Sequence, residues 1–242
     1  MNLRFLTAGE SHGPALLAIL EGIPAGLHLD VDYVDHELLR RQSGYGAGPR
    51  MKIEKDQAIF LSGVMEGRTI GAPLAILIEN LDHDRWKGKS IEAMTIPRPG
   101  HADLTATLKY GYTDLRPALE RASARETAAR VAVGAVCKLY LQEFGIRVHG
   151  YVRSIAEIEA QIDSIPIEER FERAEASPLR CPDDQAAQAM QGRIRSAMDE
   201  KETLGGVLEV IALGVPPGLG SHVQWDRRLE ARLGAALLSI QA

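Results

Sequence analysis

Along the first 80 residues the apolar positions come in short runs set off by Gly, Pro, Asn or Asp: LRFLTA, ALLAILEGIP, AIFLSGV and PLAILIEN. Runs of this length between turn-forming residues predict β-strands. Between them VDHELLRRQ predicts a short amphipathic helix, and SGYGAGPRMKIEKD reads as an irregular loop from its glycines and proline. Residues 81–100 have no period and hold two prolines near their end, which predicts a surface excursion or flap. From 117 to 144 the period becomes helical. Leu119, Ala122, Ala129, Val133, Val136 and Leu139 share a face, Pro117 sits in the first turn and Gly145 is a stop. Ala124, Ala128, Ala132, Gly134 and Ala135 leave room for a close neighbour on this, the best-supported core helix. Then come a strand (IRVHGYVRSI), a polar stretch (SIPIEERFERAEASPLRCPDD), a helix (AAQAMQGRIRSAMDEKET) and a strand (GGVLEVIALGVP). The last element, DRRLEARLGAALLSIQA, is an amphipathic helix that stops in mid-pattern without a cap; the expectation is a chain shortened from something longer.

Composition narrows the class. The 242 residues are 45% hydrophobic and 25% charged, enough for a sizeable core in one or two domains, and the pattern reads as one domain over 1–242. A net charge of -5 gives no sign of nucleic acid or a membrane surface as partner. The two cysteines, Cys137 and Cys181, form no C-x-x-C pair, which argues for a reducing compartment and against disulfides or a thiolate zinc site. Cys137 reads as a buried free thiol. MNLRFLTAGESHGP lacks the apolar core of a signal peptide, and no segment has the apolar length to span a bilayer, so the expected location is cytoplasmic.

Four clusters could carry chemistry. GESHG, residues 9–13, follows a strand and offers Ser11, His12 and backbone N–H groups to an oxyanion or phosphate; the alternative is a plain tight turn. It is not a hydrolase elbow, since no G-x-S-x-G is present. RRQSGYGAGPRM sets Arg40, Arg41 and Arg50 around glycines that let a ligand approach, with guanidinium forks for phosphate or carboxylate. Taken alone it would be a solvated basic loop. IPRPGHADL holds Arg98, His101 and Asp103, the histidine behind a stiff Pro-Gly backbone; Asp103 orients it or, the favoured reading, caps the next helix. LERASARET places Arg121 and Arg125 four apart, on one face of the long helix, beside Ser123; Glu120 and Glu126 could neutralise them as a surface pattern. Together these suit an anionic substrate and proton transfer near neutral pH. A metal-dependent phosphoesterase using His12, His83, His101 and His149 is disfavoured, because no H-x-H or H-E-x-x-H spacing occurs.

GESHGPALLAILEGIPAG, RRQSGYGAGPRMKIEKD, RPGHADL and ERASARETAARVAVGAV, in this order, resemble successive blocks of the chorismate synthase family, and the likeness runs from Met1 to Ala242 through GGVLEVIALGVPPGLGS. The resemblance implies an α+β fold, a β-α-β sandwich with helices packed between antiparallel sheets, assembled as a homotetramer. It implies a shikimate-pathway lyase acting on a small phosphorylated substrate, with reduced FMN as cofactor and NADPH as a reductant of the flavin. Carried over by motif, His12 serves as acid for the departing phosphate and His101 sits by the flavin. Ser11, Arg41, Arg50, Arg98, Ser123 and Arg125 bind substrate; Arg41, Ala47, Arg121, Ala122, Ser123, Gln241 and Ala242 contact flavin or nicotinamide cofactor; no metal is implied. Ala47 stands where the family usually has arginine and Ala122 where serine is commoner. The family continues beyond Ala242 into further flavin contacts and a catalytic aspartate. The expectation for the 242-residue chain is weak FMN binding and little turnover, and a second reading is a silent module that keeps only oligomerisation surfaces.

Overall fold

A computed structural model of the chain describes residues 3–46 and 48–241. In chain order its strands are β1 (Arg4–Ala8), β2 (Ala15–Glu21), β3 (Ile59–Ser62), β4 (Val64–Met65), β5 (Arg68–Thr69), β6 (Leu74–Glu79), β7 (Arg147–Ile155), β8 (Ile158–Glu159) and β9 (Gly206–Leu213). The α-helices are α1 (Val31–Gln42), α2 (His83–Trp86), α3 (Asp103–Tyr110), α4 (Arg116–Arg121), α5 (Thr127–Gln142), α6 (Ile167–Ala176), α7 (Asp184–Glu200) and α8 (Leu229–Leu238). Where the sequence reads as one domain, the contacts gather into two compact units: residues 1–41, 48–140 and 216–242, and residues 42–47 with 141–215.

The first unit is built on an antiparallel sheet of order β1-β2-β6-β3. Its register puts Leu16 opposite Ile78, Ala18 opposite Ile76 and Leu20 opposite Leu74, and all six are buried. Alternation has therefore sent one face of both central strands to the same side. Val34 and Leu38 of α1 and Ala128, Ala129, Ala132, Val133, Ala135, Val136 and Leu139 of α5 complete that core cluster. The alanines Ala128, Ala132 and Ala135 of α5 lie in this cluster with the sheet and α1, whereas Gly134 is only half-buried with open space at its Cβ position. Cys137 is free and only half-buried, yet burial pushes its thiol up to about 11.

The helix expected over 117–144 is broken. α4 ends at Arg121, and Ser123 turns to extended backbone (φ -66°, ψ 144°), its hydroxyl accepting the Arg125 N–H ahead of a 3-10 turn and α5. Serine competes for backbone hydrogen bonds in this way, and that break outweighs the helical spacing. As a consequence Arg121 and Arg125 do not share a helix face. Residues 81–100 are irregular apart from the four residues of α2, and are tied down by Met94 N–H to Asp114 (3.1 Å) and Leu115 N–H to the Met94 carbonyl (2.8 Å).

The second unit is a β8-β7-β9 antiparallel sheet whose buried Tyr151 clusters with Ile162, Phe171, Ala174, Cys181, Ala186, Ala187 and Met190. Tyr45 of the glycine-rich loop joins this cluster, its hydroxyl 2.7 Å from Arg195 Nε. The stretch read as merely polar contains α6. Phe171 and Ala174 are its only buried residues, and Glu169 and Arg173 pair across one turn outside, so a single apolar anchor lies hidden in a charged run. Antiparallel sheets with helices against them make the fold α+β.

Candidate active site

The site grows from the β1–β2 connection. Gly9 adopts φ +103°, and a Cβ there would stand 2.4 Å from the Ala15 carbonyl oxygen, so the GESHG turn needs glycine at its start. Asn80, just past β6, pins the turn by donating its side-chain amide to the carbonyls of Glu10 (3.1 Å) and Gly13 (2.8 Å). Ser11 and His12 are held at its tip.

Ser11 is buried and lies at the centre of a polar cluster. Its N–H donates to the Glu120 carbonyl (3.2 Å), and its hydroxyl oxygen accepts from Arg50 Nη1 (2.7 Å) and from the Ser123 hydroxyl (3.0 Å). Arg50 Nη2 donates to the Ser11 carbonyl, and Arg50 Nε to Glu54 (3.0 Å). Arg41 reaches in from the end of α1, donating to the Thr127 hydroxyl (2.9 Å) and the Ala124 carbonyl (3.0 Å), with Asp56 at 3.5 Å. Arg125 lies deepest, 3% exposed: Nε donates to Asn80 (2.8 Å), Nη1 to both Asp56 oxygens (2.7 and 2.8 Å) and Nη2 to the Glu79 carbonyl (3.1 Å).

Three guanidiniums thus face two buried carboxylates, Glu54 and Asp56. Burial pushes the Arg41 guanidinium below its usual range; Asp56 opposes this, and repulsion from Arg125 and Arg50 adds to it. A buried cation depressed this way gains from an anion brought alongside. Arg125 differs, since its donors are met from within the protein and it serves the cluster as a fixed charge.

His12 is oriented by one carboxylate. Glu120 accepts the His12 backbone N–H (2.7 Å) and contacts Nδ1 (2.8 Å), while the Trp86 ring meets the imidazole edge-on at 5.0 Å between centroids. His83 Nδ1 lies 2.8 Å from the His12 carbonyl, to which it must donate.

His101 and Arg98 are placed otherwise. Among the described residues no hydrogen bond or ion pair links them to the Ser11 cluster. Asp103 does not cap α3. It lies inside the first turn and accepts the Arg98 N–H (3.0 Å) and both ends of the Arg98 fork (2.9 and 3.0 Å). His101 is exposed, with its N–H 3.4 Å from the Arg98 carbonyl. The Arg98 hydrogen bonds hold the buried Asp103 carboxyl at about 2, well under the ordinary value of about 3.9. A folded-state value below the unfolded one means stabilisation that is complete above about pH 4 and is lost as pH falls toward 2. We expect Asp103→Asn to cost about 1–2 kcal/mol at pH 7, a figure reduced because Arg98 is partly open to solvent, with the difference from the unaltered protein shrinking below pH 4 in urea unfolding.

Of the residues assigned to a cofactor, Arg41 and Ser123 belong to the Ser11 cluster, while Arg121 and Gln241 join a second network. Arg121 donates to the Thr7 hydroxyl (2.7 Å) and carbonyl (2.9 Å); the Thr7 hydroxyl donates to Glu126 (2.6 Å); and Gln241 donates to the other Glu126 oxygen (2.9 Å). Burial opposes ionisation of Glu126, but hydrogen bonds from Thr7, Gln241 and Arg130 outweigh it and hold the carboxyl below its usual range. Ala122 is the C-cap of α4, one residue before Ser123, which reaches Ser11; Ala47 and Ala242 lie outside the described residues. Glu120, Glu54, Asp56, Asn80 and Trp86 were not among the sequence candidates. The E-K-D spacing of Glu54 and Asp56 was a signal for them, since alternate residues point the same way in extended chain.

Among the described residues no group of three or more His, Cys, Asp or Glu is arranged to hold a metal ion, and no helix is long and apolar enough to cross a membrane. Comparison with known proteins gives one family throughout. The chorismate synthase family model matches residues 3–242. The chorismate synthase of Symbiobacterium thermophilum is 55% identical over 99% of this chain and 65% of its own length, and that of Aquifex aeolicus is 52% identical over the same shares. A crystal structure of chorismate synthase superposes with a TM-score of 0.84 at 48% identity, covering 100% of this chain and 66% of that one. The chain thus spans about 65% of the length of those two relatives. With the motifs, the antiparallel sheets and these matches in agreement, the chain belongs to the chorismate synthase family.

Proposed function

We propose that the protein converts 5-enolpyruvylshikimate 3-phosphate to chorismate and phosphate in aromatic amino acid biosynthesis. The reaction is an anti elimination: the C–O bond to phosphate and a ring C–H bond break, and a C=C bond forms. The observation that carries this reading is the cluster of Ser11, His12, Arg41, Arg50 and Ser123 in a chain of this family. A substrate with one phosphate and two carboxylates needs several cations in a site with little water. Arg41 and Arg50 grip it as forks, Ser11 and Ser123 add hydroxyl donors, and Arg125 supports them with a fixed positive charge. His12 gives a proton to the departing phosphate. By the family's motif, Arg98, now held by Asp103, would add an anion contact and His101 would stand by the flavin.

By the family resemblance, Arg121, Ser123 and Gln241 would hold reduced FMN, exchanging their present partners Thr7, Ser11 and Glu126 for the polar edge and phosphate of the flavin, and Arg41, Ala47, Ala122 and Ala242 are the other positions assigned to cofactor. The reduced flavin supplies electron density to the substrate, with no net redox change. NADPH serves as the flavin's reductant, and the active assembly is a cytoplasmic homotetramer.

The test is anaerobic phosphate release from the substrate. It compares the 242-residue chain with the same chain completed by the remaining segment of the Symbiobacterium thermophilum relative. The completed chain is expected to form chorismate only with reduced FMN, and the 242-residue chain to bind FMN weakly and turn over little. Release without reduced flavin, or none from the completed chain, overturns the proposal.

A further inference from the structure

We propose that Glu120 is the positioning residue for His12, fixing both the direction of its ring and the nitrogen that carries the proton. This rests on the reading of His12 as the proton donor. One carboxylate clamps a single residue twice, with Oε2 on the His12 backbone N–H at 2.7 Å and Oε1 on the ring Nδ1 at 2.8 Å. An ionised carboxylate has only acceptors to offer, so the ring nitrogen facing it must bear hydrogen. The imidazole is therefore Nδ1-protonated whether neutral or charged, and Nε2 is the nitrogen that gains and loses the exchangeable proton.

The surroundings leave the ring little freedom. Trp86 closes one side at 5.0 Å, with its own indole N–H donated to Asp82 (3.0 Å). His83 holds the His12 carbonyl and Glu120's own carbonyl holds the Ser11 N–H, so the backbone on both sides of the ring is fixed. Among the described residues the charged groups near the turn include Glu120 on α4, Arg121 at the Gly9 carbonyl, His83 on α2, Glu10 in the turn itself and Arg50 on Ser11, and it is Glu120 that bonds to the ring. A carboxylate behind Nδ1 does two things for an acid that works through Nε2. It stabilises the imidazolium before transfer, and afterwards it keeps the neutral ring in the Nδ1–H form, with the Nε2 lone pair aimed where the proton went. No new covalent bond is made to Glu120.

The two members come from sequence positions 108 residues apart, and Glu120 sits one residue before Arg121 in a run that otherwise reads as alternating surface charge. The break at Ser123 ends α4 just after Glu120. Glu120 faces the GESHG loop from the last turn of α4, and the break lets Arg125 turn into the core.

The experiment is nitrogen NMR of the 242-residue chain labelled at histidine nitrogens, recorded at a pH where imidazole is neutral. The His12 signals are assigned by their loss in His12→Gln. We expect a pyrrole-type Nδ1 and a pyridine-type Nε2 for His12. Glu120→Gln presents either its carbonyl or its NH2 group to a site that needs two acceptors, and should move His12 toward the Nε2–H form. A wild-type spectrum with hydrogen on Nε2 would overturn the proposal by itself, with no variant required. An unchanged tautomer in a folded Glu120→Gln chain would overturn it too. In the phosphate-release assay of the completed chain, Glu120→Gln should lower kcat by about 10- to 1,000-fold with KM within a few-fold. In a His12→Gln background it should lower kcat no further, whereas a merely structural role would add its own loss. The NMR readout does not depend on turnover. A correct tautomer with no effect of His12→Gln on phosphate release would therefore refute the role given to His12 and leave the clamp intact.

Discussion

Replacing Asp56 by alanine is expected to lower the unfolding free energy by about 3–5 kcal/mol, the largest single-residue loss we anticipate. Asp56 has no side-chain exposure and accepts Arg125 Nη1 on both oxygens, while Arg125 is itself only 2% exposed at the side chain. Truncating the carboxylate strands a buried guanidinium, and a charge without its partner costs more than the pair was worth. Glu54, 3.7 Å from Arg125 Nη2, is a second carboxylate placed to share the load. It already serves Arg50 and the Leu81 N–H, so its relief should be partial. Urea unfolding followed by circular dichroism measures the difference. A loss under about 1 kcal/mol would mean that Glu54 or entering water replaces Asp56, and that the carboxylates under the cluster are not the support described above. Asp56→Asn keeps shape and one acceptor and should fall between alanine and the unaltered protein. Arg41 lies 3.5 Å from the same carboxylate, so both variants should also disturb its placement.

The second large effect is on turnover. In the completed chain, His12→Asn should reduce phosphate release by about 100- to 10,000-fold, the usual worth of a positioned proton donor. Flavin binding should stay within a few-fold, because the Arg121–Thr7–Glu126–Gln241 network does not include His12. Asparagine can still place a polar group opposite Glu120, so the turn should survive and the loss should report chemistry. Steady-state kinetics with reduced FMN measures the first quantity and a flavin fluorescence titration the second. A loss in flavin affinity equal to the loss in rate would assign His12 to cofactor binding.

Much of the fold was legible along the chain. The four apolar runs before residue 80 became β1, β2, β3 and β6, and VDHELLRRQ became most of α1, because alternation and helical spacing are properties of a few neighbouring residues. The failures share a cause as well. The helix over 117–144 broke where one serine hydroxyl took a backbone N–H, an event that carries no weight in a count of apolar positions. α6 was lost in charge because Phe171 and Ala174 were too few to make a periodic signal. Asp103 looked like a cap in sequence and proved to be the counter-ion of Arg98.

The sequence alone determined most of the strands and α1, that arginine, histidine and serine recur at glycine-rich turns, and which family those turns resemble. It could not rank the arginines. Arg50, Arg121 and Arg125 look alike in a string of letters, yet one holds the Ser11 turn, one opens toward Thr7 and one is locked beneath by Asp56, 69 residues away. The same holds for Glu120, a surface charge by its neighbours and a clamp on His12 once the chain has folded. A buried charge takes whatever counter-charge folding brings within reach, and that choice is made across the sheet and between helices, where no local period extends.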